Sequence, residues 1–162
     1  MVIGWGKPRL FKKKLGDESA KWEELPTPAD GTTQLTTTKG NKVEAKLEGG
    51  ANEDVRYNAN TYAISFQIRL AKDKKVPFEH NDGIVPDNYA FALVPEDAEV
   101  PSGFIMDKAV VSVEDTFTSA DGGAITYTLD ALKPENGNQL KWGVVKVTES
   151  DGVISSIELE EE

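Results

Sequence analysis

The amino-acid sequence predicts an all-β fold, a sandwich or barrel that contains at most one short helix. Strand-like segments recur roughly every 8–15 residues and are separated by turns rich in Gly, Pro, Asn and Asp, as in sandwich and barrel proteins. No segment keeps a helical repeat for longer than about three turns. With 162 residues, the chain fits one domain that is large enough to bury a core without disulfides.

Residues 1–31 are predicted to form an N-terminal hairpin arm. Residues 9–12 supply one strand, residues 16–19 the turn and residues 21–25 the returning strand. The prolines that follow oppose further pairing, because proline has no backbone N–H to donate. We therefore divide the single domain into this arm and a body that comprises residues 32–162.

Leu10 and Phe11 are neighbours in the first strand of the arm, so their side chains point to opposite faces. We expect one of them to be exposed or covered by a neighbouring subunit. The edges of this hairpin are expected to be blunted by the charges of Lys12, Lys13 and Lys14 or occupied by another copy.

The most informative stretch of the chain is residues 36–70. Residues 42–48 alternate apolar and charged side chains, which predicts a half-buried strand. Its inner side chains are expected to be Val43, Ala45 and Leu47, and its outer ones Lys42, Glu44, Lys46 and Glu48. Gly49 and Gly50 end this strand, and residues 51–59 are predicted to be a polar, mobile loop.

A threonine-rich extended segment, residues 32–38, leads into this stretch. The clearest predicted strand of the chain is residues 60–70. Its alternation with a period of two sends one set of the strand's side chains into a core. That inward set comprises Tyr62, Ile64, Phe66, Ile68 and Leu70.

The C-terminal half adds five predicted strands. They are residues 89–94, 104–118, 124–132, 139–147 and 153–159. Residues 120–123 give the best hairpin turn in the sequence. Residues 76–86 are predicted to cross one end of the sheet irregularly, and the only candidate for a short helix lies within residues 76–88.

The charge is distributed unevenly along the chain. The whole sequence has a net charge of −10, whereas residues 1–21 contain six Lys or Arg and only two acids. Such asymmetry favours head-to-tail association or contact of one face with an anionic partner. The sequence contains no cysteine and no run of apolar residues long enough for a membrane span, so we expect a soluble protein made in the cytoplasm, without a membrane partner.

The sequence offers little for catalysis or metal binding. His80 is the only histidine, which excludes multi-histidine metal sites, and we expect it to be solvated in a polar turn. Asp82, Asp121 and Asp151 each precede glycine without the acid spacing of a calcium loop, which indicates turns. No nucleophile elbow, phosphate loop or dinucleotide fingerprint occurs. We therefore expect no enzymatic activity, no cofactor, no metal and no small-molecule substrate.

Three tryptophans leave a second function open. Trp5, Trp22 and Trp142 either pack in the core and hairpins or form a platform on which a sugar stacks. The second possibility describes a monomeric β-sandwich binding module, such as a carbohydrate-binding or adhesion domain.

Several short motifs occur along the chain. They are GWGKPR at residues 4–9, WEELP at 22–26, TTTKG at 36–40, EAKLEGG at 44–50, NTY at 60–62, ALKP at 131–134 and KWG at 141–143. Their order resembles the major tail tube proteins of long-tailed bacteriophages, especially those encoded by prophages of gut bacteria. The resemblance spans most of the chain.

The resemblance implies a β-sandwich or barrel subunit that assembles into hexameric rings. These rings stack into a tube that conducts DNA, an architecture shared with the tube of type VI secretion systems. The implied partners are other copies of the chain and other tail proteins, while DNA is a cargo that does not stick, because an acidic wall repels phosphate. The implied locations are the cytoplasm of a bacterial host during assembly and then the virion tail. A tail terminator or decoration protein is a related alternative.

The resemblance also suggests where subunits meet. Residues 42–50 and 60–70 are expected to line or border the lumen, and the arm and residues 49–59 to make ring and stacking contacts, with that loop ordered only in the assembly. Deletion of residues 1–31 is expected to leave a folded body that no longer forms tubes. The proposed inter-subunit or lumen residues are Lys12, Lys13, Lys14, Lys42, Glu44, Lys46, Glu48, Gly49, Gly50, Asn60 and Tyr62.

Overall fold

The computed structural model describes residues 6–16, 21–29, 31–72, 78, 80–120, 122–135, 137–151 and 153–159, and in these residues the protein is all-β. Its strands are β1 (Arg9–Lys14), β2 (Glu23–Glu24), β3 (Gln34–Thr38), β4 (Lys42–Lys46), β5 (Asn52–Tyr57), β6 (Thr61–Arg69), β7 (Tyr89–Val94), β8 (Gly103–Thr118), β9 (Gly122–Ala131), β10 (Lys141–Gly143), β11 (Val145–Ser150) and β12 (Val153–Leu159). The described residues include no helix, so the optional short helix is not found there.

One antiparallel sheet dominates the molecule. Its strands are hydrogen-bonded in the order β2-β1-β7-β8-β9-β6-β3, and β10 pairs with the start of β8. β11 pairs with β12 and β4 pairs with β5 as separate two-stranded sheets. The strands predicted in residues 60–70, 89–94, 104–118, 124–132 and 153–159 are confirmed as β6, β7, β8, β9 and β12, and the threonine-rich extended segment at residues 32–38 contains β3.

The main sheet curls so that its inner face closes around a first core. The rings of Phe66 on β6 and Phe91 on β7 are 6.0 Å apart, although β8 and β9 lie between these strands in the sheet. Tyr127 on β9 and Phe78 also pack there, with ring centroids 5.2 Å apart. The rings of Phe66 and Phe91 are both fully buried, so the curled sheet surrounds the first core.

A second core lies on the opposite face of β1, β7 and the beginning of β8. The β11–β12 hairpin packs there, and Phe11 is buried with Val145, Ile154 and Ile157. Leu10 is buried in the first core instead. Both residues are therefore internal, and the prediction that one of them is exposed is wrong, because each face of β1 has its own covering layer.

The predicted N-terminal hairpin is confirmed and forms part of the main sheet. β1 lies between β2 and β7, with Phe11 opposite both Glu24 and Ala92. The turn predicted at residues 16–19 falls largely outside the described residues, as do Trp5 and the acidic C-terminus. β1 is thus an inner strand of the sheet, while the two-residue β2 forms its edge.

Residues 34–69 form one long hairpin in which only the first half belongs to the sheet. Thr38 pairs with Thr61 at the end of β3–β6, and Lys42 pairs with Tyr57 at the start of β4–β5, so the register continues across the gap. The β4–β5 half, called the projecting hairpin below, is residues 42–57.

The projecting hairpin corrects two predictions. Residues 51–59 are not simply a mobile loop, because Asn52–Tyr57 is the strand β5. The segment predicted as a half-buried strand, residues 42–48, is not half-buried either, since Val43 on β4 is 47% exposed and Leu47 just after it is 53% exposed. Leu70 likewise fails to enter the core and is 47% exposed. In each case the sequence alternation continues beyond the reach of the core.

Two further predictions need correction. The strand predicted for residues 139–147 is divided into β10 and β11, which pair with different strands. His80 is not solvated: its side chain is 16% exposed, and its Nδ1 accepts a hydrogen bond from the Gly83 N–H at 3.0 Å. The described part of the chain contains no helix that is both long and apolar enough to span a membrane.

Candidate assembly surfaces

The root of the projecting hairpin is fixed by close backbone contacts. Asn58 N–H donates to the Asn41 carbonyl at 2.9 Å, and Gly40 N–H donates to Asn60 Oδ1 at 3.0 Å. A Cβ atom on Gly40 would overlap the carbonyl oxygen of Asn58, so only glycine fits. The Lys39 ammonium lies 4.8 Å from the ring centre of Tyr57. The hairpin is therefore attached to β3 and β6 at a defined position.

The charged side chains on one face of β4 form ion pairs with each other. Glu44 lies between two lysines, with Lys42 Nζ 2.6 Å and Lys46 Nζ 3.3 Å from its carboxylate oxygens. Alternate positions of a strand share a face, which brings the three side chains together. These three predicted contact residues thus stabilise the hairpin locally, and screening by salt weakens such exposed pairs.

The projecting hairpin exposes apolar side chains on both faces. Val43 and Leu47 lie on one face, while Val55 and Tyr57 share the other face with the charged triad, because Val55 pairs with Glu44 and Tyr57 with Lys42. All four side chains are exposed. A two-stranded hairpin without a covering layer is marginally stable in water. These exposed groups make the hairpin a candidate for contact with another molecule.

Gly49 and Gly50 form the tip of the projecting hairpin. Both have positive φ angles, 91° and 90°, which glycine adopts without strain. Leu47 accepts a hydrogen bond from Gly50 N–H at 3.1 Å and donates its own N–H to Ala51 at 2.7 Å. Glu48, also at the tip, is exposed. Six of the predicted contact residues therefore lie together on this one element: Lys42, Glu44, Lys46, Glu48, Gly49 and Gly50.

The other predicted contact residues are elsewhere. Tyr62 packs against the first core, and Asn60 holds the hairpin root. Lys12 has only 13% of its side chain exposed, with its Nζ 4.7 Å from the Phe78 ring centre and 3.6 Å from the Glu23 carboxylate. Lys14 pairs with Asp87 at 3.3 Å, and Lys13 is half-buried. The three lysines mainly stabilise the β1 region, on the far side of the sheet order from β3.

A second surface is the outer face of β3, β6, β9 and β8, which no other described strand covers. Its outward side chains follow from the pairing register. They are Gln34, Thr36 and Thr38 on β3; Thr61, Ala63, Ser65, Gln67 and Arg69 on β6; Gly122, Ala124, Thr126, Thr128 and Asp130 on β9; and Val110, Ser112, Glu114, Thr116 and Thr118 on β8. This hydroxyl face carries a single cation, Arg69, and two carboxylates among these described positions.

A third surface lies where β6 and β8 end and β9 begins, opposite the projecting hairpin. Phe117 is 76% exposed although it follows Val111 and Val113 on the inward side of β8. Leu70 N–H donates to the Gly123 carbonyl at 2.9 Å, and Gly123 is the pairing partner of Phe117. Leu70 and Phe117 thus form an exposed apolar patch, called the end patch below.

Sequence patterns did not identify the apolar groups of β5 or the end patch. β5 carries Asn, Glu and Asp at its start, a composition typical of loops, although Val55, Arg56 and Tyr57 do alternate. The glycine pair that follows β4 was a usable signal for a hairpin turn. Phe117 sits in a strongly alternating strand, which predicts burial, and only the end of the sheet exposes it.

The remaining polar features of the described residues are an ion pair and several turns. His80, in the turn region before β7, has its Nε2 3.6 Å from the carboxylate of Asp115 on β8. Asp82 and Asp151 have φ angles of 51°, which supports the turn interpretation for both. Asp121 lies outside the described residues. No cluster of three metal-binding side chains occurs in the part of the chain that the structure describes.

Two places bear on sugar binding. Trp142 is 55% exposed, with its ring edge-on to Phe104 at 5.3 Å, whereas Trp22 packs against the second core. A groove of about 670 Å³ beside residues 27–33 is lined by Pro28, Leu93 and other side chains that include no aromatic ring among the described residues. Neither place combines a groove with an aromatic platform.

Comparisons with known proteins do not place the chain in a family. No protein-family model matches it, and no curated protein matches its sequence significantly. Its function must therefore be inferred from the surfaces described above together with the resemblance in the motifs.

Proposed function

We propose that this protein is a structural subunit of a bacteriophage tail tube, which assembles with copies of itself into stacked rings around a DNA channel. The observation that carries the proposal is the uncovered hydroxyl face of β3, β6, β9 and β8. A channel wall must be broad, exposed and weakly attractive to DNA. Threonine and serine side chains provide a wettable surface, and a single arginine gives few phosphate contacts.

The overall charge is compatible with this role. Because the chain has a net charge of −10, a ring of several copies around DNA creates a repulsive potential for phosphate. Among the described strands β3 pairs only with β6, so its other edge offers a row of backbone groups for strand addition by a neighbour. Such an interface is heterologous and closes into a ring when the rotation allows it. Other tail proteins would contact the ends of the stack.

The oligomeric state of the purified protein tests the proposal. We expect light scattering to give a mass of about six subunits or more, and negative-stain microscopy to show rings or tubes with an open centre. A monomer at every concentration and ionic strength, together with quenching of Trp142 fluorescence by sugars, would instead support the monomeric binding module. A Trp142→Phe variant serves as the control for the quenching signal.

A further inference from the structure

The projecting hairpin and the end patch are unpartnered surfaces at opposite ends of the same sheet. The hairpin begins next to Thr61, at the start of β6, and Leu70 directly follows the last residue of that strand. Nine extended residues separate these ends by about 30 Å. A hairpin that points away from the sheet cannot reach its own end patch, so any contact between them joins two molecules.

Both surfaces have apolar groups that a partner would cover. The hairpin presents Val43, Leu47, Val55 and Tyr57, and the opposite end presents Leu70 and Phe117. Phe117, at 76% exposed, is the most exposed of the large apolar side chains in the described residues. Covering this aromatic ring on association removes a large apolar area from water, which favours the contact.

The two surfaces also carry charges of opposite sign. Glu48 and Glu53 near the hairpin tip have no ion-pair partner within the described residues, and the same holds for Arg69 and Lys72 beside the end patch. Asp115, on the inward side of β8, faces His80 at 3.6 Å. An acidic tip therefore matches a basic end, which gives orientation as well as attraction.

We propose that the projecting hairpin of one copy docks on the end patch of the next copy, with Glu48 and Glu53 facing Arg69 and Lys72. This inference deepens the proposed function, on which it rests for the identity of the partner. Because the two surfaces are different and lie at opposite ends, the contact is head-to-tail and does not close on a pair. It builds a polar stack, in which every added copy presents a new hairpin.

A charge-reversal pair tests the contact. One variant carries E48K and E53K, and the other carries R69E and K72E. Each variant alone opposes like charges at every contact, so we expect at least a tenfold rise in the concentration needed for stacking, measured by light scattering and negative-stain microscopy. An equimolar mixture alternates the two variants and pairs opposite charges at every contact. We therefore expect the mixture to stack as well as the unmodified protein.

The control carries E99K and E158K, which change the net charge as much as the hairpin variant does but lie away from both surfaces. It should stack like the unmodified protein. The proposal is overturned if the hairpin variant stacks no worse than this control, or if the mixture stacks no better than either variant by itself.

A cross-linking measurement separates this contact from tube formation. The chain has no cysteine, so Ala51→Cys at the hairpin tip and Ala71→Cys beside the end patch each introduce a single thiol. When the two variants are mixed under mild oxidation, peptide mass spectrometry should show 51–71 disulfides in several-fold excess over 51–51 and 71–71 disulfides. If 51–71 disulfides are in excess but no rings or tubes form, the result supports the contact between hairpin and end patch and rejects the tube function. Random pairing of the thiols would reject the contact even where tubes form.

Discussion

At the scale of single residues, Tyr127 places a polar group inside the first core. Its side chain is fully buried, and its hydroxyl makes no hydrogen bond to the described residues, although the Phe78 backbone lies nearby. Burial raises the pKa of Tyr127 to about 12 from an ordinary value of 10.0, and the Asp115 carboxylate adds to the effect. The folded protein therefore holds this proton more tightly than the unfolded chain does.

We predict that alkali destabilises the protein through Tyr127. The contribution of the neutral phenol is fully present below pH 10 and is lost as the pH rises to about 12, because only the unfolded chain ionises in that window. A shift of this size corresponds to about 3 kcal/mol in the free energy of unfolding. Denaturant titrations between pH 8 and about 12 measure the loss.

Tyr127→Phe is the matched control for this prediction. It removes a buried hydroxyl that has no hydrogen-bond partner among the described residues, so the variant should be as stable as the parent or more stable by about 1 kcal/mol at neutral pH. Its stability should also fall less steeply above pH 10 than that of the parent. Parallel pH profiles for the two proteins would contradict the assigned role of this side chain.

Gly40 provides a prediction about the hairpin root. Gly40→Ala forces a methyl group onto the Asn58 carbonyl, and the rigid backbone there cannot move aside as a side chain could. We expect β4 and β5 to detach locally, which raises amide hydrogen exchange in both strands by at least about tenfold while the core strands keep their protection. Exchange measured by mass spectrometry on peptides of the hairpin gives the result.

Gly49→Ala is the comparison for the root variant. It lies at the hairpin tip with no atom close to a new methyl group, and its cost, about 1 kcal/mol, comes from the positive φ angle alone. It should leave exchange unchanged at the root amides of Val43 and Arg56, which form the hydrogen-bonded pair next to Asn41 and Asn58. If both alanine variants loosen the root equally, steric fixation by Gly40 is not what holds the hairpin.

At the scale of elements, the structure changes the expectation for the N-terminal segment. Removing residues 1–31 deletes β2 and β1 from one end of the main sheet, and it also deletes Leu10, Phe11 and Leu25, all of them buried. Losing a single large core side chain costs about 2–5 kcal/mol, so three together approach the whole stability of a domain, about 5–15 kcal/mol. We predict that this deletion yields no cooperatively folded body.

Shortening the projecting hairpin gives the contrasting result. Replacing residues 42–57 by an Asn-Gly turn between Asn41 and Asn58 removes no buried side chain, so the melting temperature should change by only a few degrees. Thermal unfolding followed by circular dichroism compares the two deletions. A cooperative melt of the protein that lacks residues 1–31 would contradict the inner position of β1.

The difference between these elements explains how much of the fold the sequence predicts. Period-two patterns locate β6, β9 and the later part of β8 because these segments bury one face, and burial of one face specifies both the strand and its register. β7 is covered on both faces and is recognised instead as a short apolar run. β5 buries neither face, so its composition resembles a loop and its pairing depends on the glycine turn. Leu10 and Phe11 show a different limit, since the layer that covers Phe11 comes from β11 and β12, far away in sequence.

The predicted assembly residues show the same difference between what a local pattern locates and what depends on distant segments. Lys42, Glu44 and Lys46 were located by alternation on a single strand, and the structure places them together. Their partners on β5 and the end patch depend on where the sheet stops, which no local pattern records. Lys12 has the composition of a surface residue, yet its aliphatic stem and ammonium group pack against the rings of Phe78 and Tyr89.

At the scale of the whole molecule, the two faces of the main sheet differ in a way that suggests an inside and an outside for an assembly. The β11–β12 hairpin covers β1, β7 and the start of β8, while the hydroxyl face of β3, β6, β9 and β8 has no cover. In a tube, one of these sides faces the channel and the other faces solvent. The absence of cysteine from the sequence allows each side to be marked with a single thiol.

Ser112→Cys and Ser155→Cys form a matched pair for this test. Both serines are exposed strand residues whose hydroxyls donate to a neighbouring backbone carbonyl, Ser112 on the hydroxyl face and Ser155 on the outer side of β12.

In the unassembled protein, both thiols should react with a long polyethylene-glycol maleimide at similar rates. In assembled tubes, the thiol at position 155 should still react with the long reagent. The thiol at position 112 should react at least tenfold more slowly than in the unassembled protein, because the bulky reagent can enter the channel only through the tube ends. A small maleimide should label both positions in either state. Equal protection of the two thiols, or selective protection of position 155, would show that the hydroxyl face does not line the channel.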